Sequence, residues 1–196
     1  MTPDGNRVLF NHGRGAAGDL DLAIAEVRKT AGGLELQNST KLLEQPGTQS
    51  SPAVSPDGKW VAYHSDENVQ REIFVRPFPA SGPIVGAKWQ VSADGGRLAT
   101  WSRFSKELFW KGLDQRIWVA DYSEAGGAFV AGKPRVWSDK RLPDTGVEPN
   151  FDVSADGKRV LALLDAEEEL KPETHLRVVL NVGDEIRRRI DLAARK

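Results

Sequence analysis

Short β-prone apolar runs recur along this chain, and each is opened by a turn-forming quartet. The quartets are Thr2-Pro3-Asp4-Gly5, Ser55-Pro56-Asp57-Gly58, the degenerate Ser102-Arg103-Phe104-Ser105, and Ser154-Ala155-Asp156-Gly157. Three residues past each quartet lie Val8, Val61, Leu108 and Val160; five past lie Phe10, Tyr63, Trp110 and Ala162. Residues two apart on a strand share a face, so the four repeats offer one apolar side in one register. Pro at the second position presets φ, Asp bonds back to its own backbone, and Gly accepts a positive φ. Each quartet therefore reads as a tight connection between antiparallel strands.

The last residues of successive quartets stand 53, 47 and 52 positions apart. A period near fifty in an all-β pattern suits a four-stranded propeller blade, whereas helical repeats are shorter and carry periodic helix faces. The pattern predicts strands over 7–11, 20–27 and 41–44 in the first repeat, with none before its turn. In the second it predicts 51–55, 60–64, 72–78 and 88–92. The third holds 98–102, 107–111, 116–121 and 134–138, and the fourth holds 149–154, 159–164 and 176–181. The expected architecture is an all-β β-propeller fragment, about three and a half to four four-stranded antiparallel blades over residues 1–46, 47–94, 95–140 and 141–183. Residues 184–196 break the pattern. Asp184 can cap a helix and Ile186 and Ile190 sit four apart, so a short C-terminal helix is predicted, with Arg187, Arg188 and Arg189 spread around it as a solvated face.

Composition adds exclusions. The chain is 39% hydrophobic and 28% charged, the balance of a packed domain that faces water. With a net charge of −1 and no basic stripe among aromatics, it offers nucleic acid no footprint. No apolar stretch approaches bilayer length, so no direct membrane insertion is expected. The absence of cysteine excludes disulfides and thiol chemistry. Met1 runs straight into the first turn with no basic-then-apolar leader. The expectation is a C-terminal piece of a larger ring, its missing blades supplied by a parent chain or by a homodimer, with apolar surface left exposed.

Catalytic patterns are sparse. There is no Gly-x-Ser-x-Gly elbow and none of the motifs of a protein kinase. His12, His64 and His175 are scattered, and zinc needs three or four converging ligands, so neither metal nor cofactor is expected. The six tryptophans all fall on predicted strands, as core packing requires. Asp66, Glu67 and the acidic run from Asp165 leave the second strands of their blades, which places them on one rim. The candidate binding face comprises loops 64–71, 111–116 and 165–175 with the connections 47–51 and 138–148. Its candidate ligand-binding residues are His64, Asp66, Glu67, Arg71, Lys111, Asp114, Arg116, Asp165 and Glu167.

The strings Ser55-Pro56-Asp57-Gly58-Lys59-Trp60-Val61-Ala62-Tyr63, Glu72-Ile73-Phe74-Val75-Arg76-Pro77-Phe78-Pro79 and Trp89-Gln90-Val91-Ser92 resemble the TolB-like, WD-repeat-like β-propeller. So does Trp101-Ser102 leading to Lys106-Glu107-Leu108-Phe109-Trp110. More narrowly, they resemble the C-terminal propeller of bacterial transmembrane serine/threonine protein kinases. Leu180-Asn181-Val182-Gly183-Asp184-Glu185-Ile186 keeps the frame of that family's end but lacks its two aromatics. The resemblance implies a non-enzymatic sensor or scaffold that binds a protein or peptide, any kinase domain lying outside this chain, on the extracytoplasmic side of the membrane. The alternative is a gating propeller of a prolyl-oligopeptidase-like peptidase or a lactonase-type hydrolase. A neighbouring hydrolase domain or a channel metal would distinguish these.

Overall fold

Three of the four turn quartets close through the same backbone hydrogen bonds. Ser55 N–H donates to the Trp60 carbonyl at 2.8 Å, and Gly58 N–H donates to the Ser55 carbonyl at 2.9 Å. The Ser55 hydroxyl accepts Trp60 N–H at 2.9 Å and donates to Asp57 Oδ1 at 2.6 Å. Thr2 repeats these contacts with Arg7, Gly5 and Asp4, and Ser154 repeats the backbone pair with Arg159 and Gly157. Gly5, Gly58 and Gly157 carry φ of 73°, 72° and 68°, which is why glycine recurs there. In the degenerate third copy the Ser105 hydroxyl bonds Ser102 Oγ and Glu107 Oε2, both at 2.6 Å, taking over the role of the aspartate.

The computed structural model describes residues 1–14, 19–68, 70–146, 149–154 and 157–164. The expected strand at 176–181 and the expected helix from 184 lie outside the described residues. No helix occurs among those described, and four antiparallel sheets follow in chain order. The first is β1 (Arg7–Arg14), β2 (Asp19–Thr30) and β3 (Gly33–Leu43). The second is β4 (Gln49–Val54), β5 (Trp60–Asn68), β6 (Gln70–Pro77) and β7 (Trp89–Gln90). The third comprises β8 (Arg97–Trp101), β9 (Glu107–Lys111), β10 (Arg116–Ala125) and β12 (Arg135–Arg141), with β11 (Ala128–Ala131) extending the far end of β10. The fourth is β13 (Phe151–Val153) with β14 (Val160–Ala162).

Three strands depart most from the sequence expectation. The first-repeat hairpin extends well past 20–27 and 41–44, to Thr30 and back from Gly33. Strand β11 was not expected at all; Gly126 and Gly127, with φ of 58° and 79°, form the two-residue loop that folds it back on β10.

The core alternates between sheets with a period of two. On β5, Val61 and Tyr63 pack with Leu9, Leu22, Ile24 and Leu42 of the first sheet. Trp60 and Ala62 point the other way, to Trp101, Leu108, Trp110 and Phe129 of the third. On β9, Leu108 and Trp110 face back while Phe109 joins Phe151 and Val153 of the fourth. Successive sheets thus share apolar interfaces, as the common register of Val8, Val61, Leu108 and Val160 requires. The sheets also fan. The backbone of strand β4 approaches those of β1 and β8, and the β8 backbone approaches β13, whereas β3, β7 and β12 reach other sheets through side chains such as Leu42 and Trp89 without comparable backbone approach. Four sheets converging on inner strands and splaying outward make a partial β-propeller.

The turn serine is a point where stability can be read. In Ser55→Ala the buried Trp60 N–H and the Asp57 carboxylate lose their partner, which costs about 1–3 kcal/mol. Thr2→Ala, at the edge of the first sheet, should cost less. Urea unfolding of both variants checks the order, and equal midpoints would contradict it.

Candidate functional site

The inner strands carry an irregularity at one repeat position. Ser51 and Leu98 each lie four residues ahead of the turn serine and have φ of 53° and 59°. Pairing slips there, between Ser50 and Ala53 on β4 and between Arg97 and Thr100 on β8. Both are β-bulges, which bend the strand and re-aim its side chains.

A groove runs along these bulged strands. At the turn end a cavity of about 590 Å³ lies against Pro3, Pro56 and Arg103, the second residue of three successive quartets. Deeper, about 370 Å³ lies between Phe10, Asn11, Ser51 and Leu98. The two share Pro52, Ala99 and Thr100. A third space of about 410 Å³ continues from Thr100 and Pro149 to Phe151 and Leu163. The side chains along the groove are uncharged except Arg103 and Asp152. It therefore suits uncharged, extended or apolar groups held by a few polar contacts.

The opposite ends of the same strands hold polar pairs at equivalent repeat positions. Five residues before the turn serine and nine after it stand Ser50 and His64 in the second repeat, and Arg97 and Lys111 in the third. Each pair sits directly across its ladder. Ser50 Oγ and His64 Nε2 lie 2.6 Å apart in the interior, and among the described residues His64 Nδ1 has no hydrogen-bond partner. Lys111 is fully buried and donates to the Pro143 carbonyl, which also accepts Asn150 Nδ2 at 2.8 Å. Arg97 pairs with Asp144 at 2.7 Å and donates to the Gly146 carbonyl at 3.2 Å. Burial, then Arg71 and Arg97, lowers His64 to about 4, so it is neutral near pH 7. Burial and then Arg97 also lower the Lys111 ammonium. This end of the inner strands is electropositive.

A serine against a histidine invites comparison with a nucleophile and its base. Here the serine is 3% exposed and the histidine 5%, and no carboxylate holds the second ring nitrogen among the described residues. Such a pair is a buried cross-strand hydrogen bond without the third group that orients a catalytic base. No group of three His, Asp or Glu placed to hold a metal occurs among the described residues.

The structure places some of the residues expected on the rim near one another and engages others with local partners. His64 and Arg71 lie within electrostatic reach of one another, together with Asp66. Asp66 is committed to the backbone, accepting Thr48 N–H at 2.6 Å. Glu67 is paired with Lys88. Lys111 lies inside, sharing Arg97 as a neighbour with His64. Asp114 and Arg116 pair with each other at 2.7 Å, and Asp114 also accepts Trp118 Nε1 at 3.1 Å. Asp165 and Glu167 lie outside the described residues. Sequence reasoning included Ser50 only as part of the 47–51 connection, and missed Arg97, Asn150 and the groove-lining Pro52 and Thr100. Counting back from the turn serine, as was done forward from it, would have paired Ser50 with Arg97 in advance.

The buried histidine makes stability depend on pH. Its folded pKa of about 4 lies below the ordinary 6.5, so the unfolded chain binds the proton first. That contribution to stability is intact above pH 6.5, declines as pH falls, and is lost once pH passes about 4; the total is about 3 kcal/mol. His64→Gln should flatten this part of the urea-unfolding profile between pH 7 and 4. An unchanged slope would show that His64 does not titrate in this range.

No family model matches the chain, and no curated protein matches it either. Among solved structures it is similar to a TolB from Agrobacterium tumefaciens, with 19% identity over 69% of this chain and 48% of that one, at a TM-score of 0.47. It is also similar to TolB from Acinetobacter baumannii, with 18% identity over 79% of this chain and 46% of that one, at a TM-score of 0.47. The chain spans about half the length of the solved chains it matches.

Proposed function

We propose that the chain is a non-enzymatic binding module that takes a protein or peptide partner into the groove along its inner strands. The observation that carries this reading is the continuity of the cavities. Pro52, Ala99, Thr100 and Pro149, from three different repeats, wall one connected space that opens beside the turns. A rigid frame that brings side chains from several repeats to one place is how propellers bind without catalysing. The mostly uncharged lining, with Arg103 and Asp152 its charged side chains, favours a neutral, extended ligand over a metal, a phosphate or an acidic peptide.

The finer reading is that the module is the C-terminal sensor or interaction part of a larger protein, such as a bacterial receptor-like kinase. Its support is the repeat strings quoted above, Glu72 to Pro79 foremost. In that setting the groove faces the extracytoplasmic side, and the parent chain or a second copy supplies further blades.

A photo-reactive residue placed at Thr100, inside the groove, tests the binding reading in a cell extract of the source organism. The same residue at exposed Lys29, on the first sheet, is the control. One defined partner captured from position 100 and not from 29 is the expected result. Equal capture from both positions, or none from 100, would contradict it.

A further inference from the structure

We infer that the seam between the second and third sheets binds one small monovalent anion of chloride size, held by His64 Nδ1–H and Arg97 Nε–H with the Arg71 guanidinium close by. The site is separate from the groove and from whatever the groove takes. Three seams can be compared. Nine residues after the turn hydroxyl of successive repeats stand Asn11, His64 and Lys111. Asn11 Oδ1 accepts the Ser51 N–H of the second repeat at 3.0 Å, and Lys111 Nζ donates to the Pro143 carbonyl at the start of the fourth. Each of these side chains reaches across to the incoming chain of the next repeat. His64 turns instead to Ser50 in its own sheet, and its second ring nitrogen has no partner among the described residues. The middle seam lacks the clasp that its two neighbours make.

Across that seam His64 meets positive charge. Strand β8 approaches β5, and Gly96 N–H donates to the Arg71 carbonyl at 2.8 Å, which brings Arg71 and Arg97 to the histidine's end of β5. His64 lies within electrostatic reach of both, and of Asp66. Arg97 is 8% exposed; its terminal nitrogens bond Asp144 and the Gly146 carbonyl, yet its Nε–H has no partner among the described residues. The carboxylates nearby are already engaged. Asp66 accepts Thr48 N–H, Asp144 accepts Gly146 N–H besides Arg97, and Glu72 accepts Gly95 N–H and the Ser92 hydroxyl. Arg71 is exposed and pairs with no acid among the described residues.

Hydrogen-bond chemistry then names the ligand. A Ser50 hydroxyl that donates to Nε2 leaves the proton of the neutral ring on Nδ1, so both unpartnered groups are donors. Two buried donors beside two guanidinium charges call for an acceptor that carries negative charge. Packing sets its size. Ser50 and His64 are 3% and 5% exposed, and a Cβ on Gly96, next to Arg97, would come within 2.7 Å of Trp110 and 2.8 Å of Ile73. Such crowding selects a single-atom anion over a phosphate or the carboxylate of a peptide. The ion supplies at the middle seam the link that Asn11 and Lys111 supply at the others.

The probe is chloride, exchanged against gluconate at constant ionic strength with the full chain. Long-range proton–nitrogen NMR should show the neutral His64 ring protonated on Nδ1, and the Nδ1 and Arg97 Nε signals should follow one saturation curve. The thermal midpoint should rise along the same curve. Arg97→Lys keeps the charge but removes the Nε–H, and should weaken chloride roughly tenfold, the worth of one charge-assisted hydrogen bond. Arg71→Gln should weaken it less, and Lys59→Gln, paired with Glu124 at the turn end, should leave it unchanged. Bromide in crystals should give an anomalous peak within hydrogen-bond reach of both nitrogens. A ring protonated on Nε2, or no chloride-dependent shift of His64 and Arg97 in the unaltered chain, would overturn the inference whatever the variants do. Tighter binding of acetate than of chloride would overturn the single-atom ligand. None of these outcomes bears on partner capture at Thr100, so the two readings fail separately.

Discussion

Everything in this fold follows from strands that are apolar on both faces. The strand Trp60–Asn68 buries Trp60 and Ala62 against the next sheet and Val61 and Tyr63 against the previous one, so its sheet needs two neighbours. Face-to-face packing on both sides gives a row of sheets. Close approach of the inner strands, with the outer ones splayed, turns the row into a fan. The turn quartet sets the spacing by holding each inner strand to its partner in one register. Aromatic residues fill the interface between the second and third sheets, where Phe129 stacks on Tyr122 at 5.3 Å and meets Trp60 and Trp101 edge-on. Such contacts add specific geometry to a large apolar burial.

The fold was legible because its signals are local and repeated. Pro56-Asp57-Gly58 announces a turn by its own chemistry, and the period-two runs that follow announce strands. Ser105 shows how far that goes, since a serine without glycine's backbone freedom closes the third turn by hydrogen bonds to Ser102 and Glu107. The length of the first hairpin was hidden because Leu34 and Leu36 are exposed and Gln37–Thr40 is polar, so no buried alternation marks that stretch. The strand Ala128–Ala131 was hidden because four residues are too few for a pattern, although Gly126-Gly127 carries the turn signal.

The groove was less legible in the sequence, for a physical reason. Rim charges attract attention in a sequence, yet Asp66, Glu67, Asp114 and Arg116 are occupied with nearby backbone or ionic partners. The groove is built from Pro52, Ala99, Thr100 and Pro149, ordinary residues whose importance comes only from convergence. Likewise Ser50 with His64 and Arg97 with Lys111 are one structural position filled by two chemistries. A neutral pair and a cationic pair both satisfy the same cross-strand site, the second by reaching out to Pro143, Asp144 and Gly146. Exposed large apolar side chains are spread along the described chain, from Leu34 and Leu36 through Val85, Phe104, Leu113 and Val130 to Leu161, Leu163 and Leu164.

The most direct test of the account is a set of side-chain nuclear Overhauser contacts from the strand Trp60–Asn68. Val61 and Tyr63 should see Leu22 and Leu42 of the first repeat, and Trp60 and Ala62 should see Trp101 and Leu108 of the third. Contacts from both sets to one and the same repeat, as a two-layer sandwich would give, would contradict the fan of sheets.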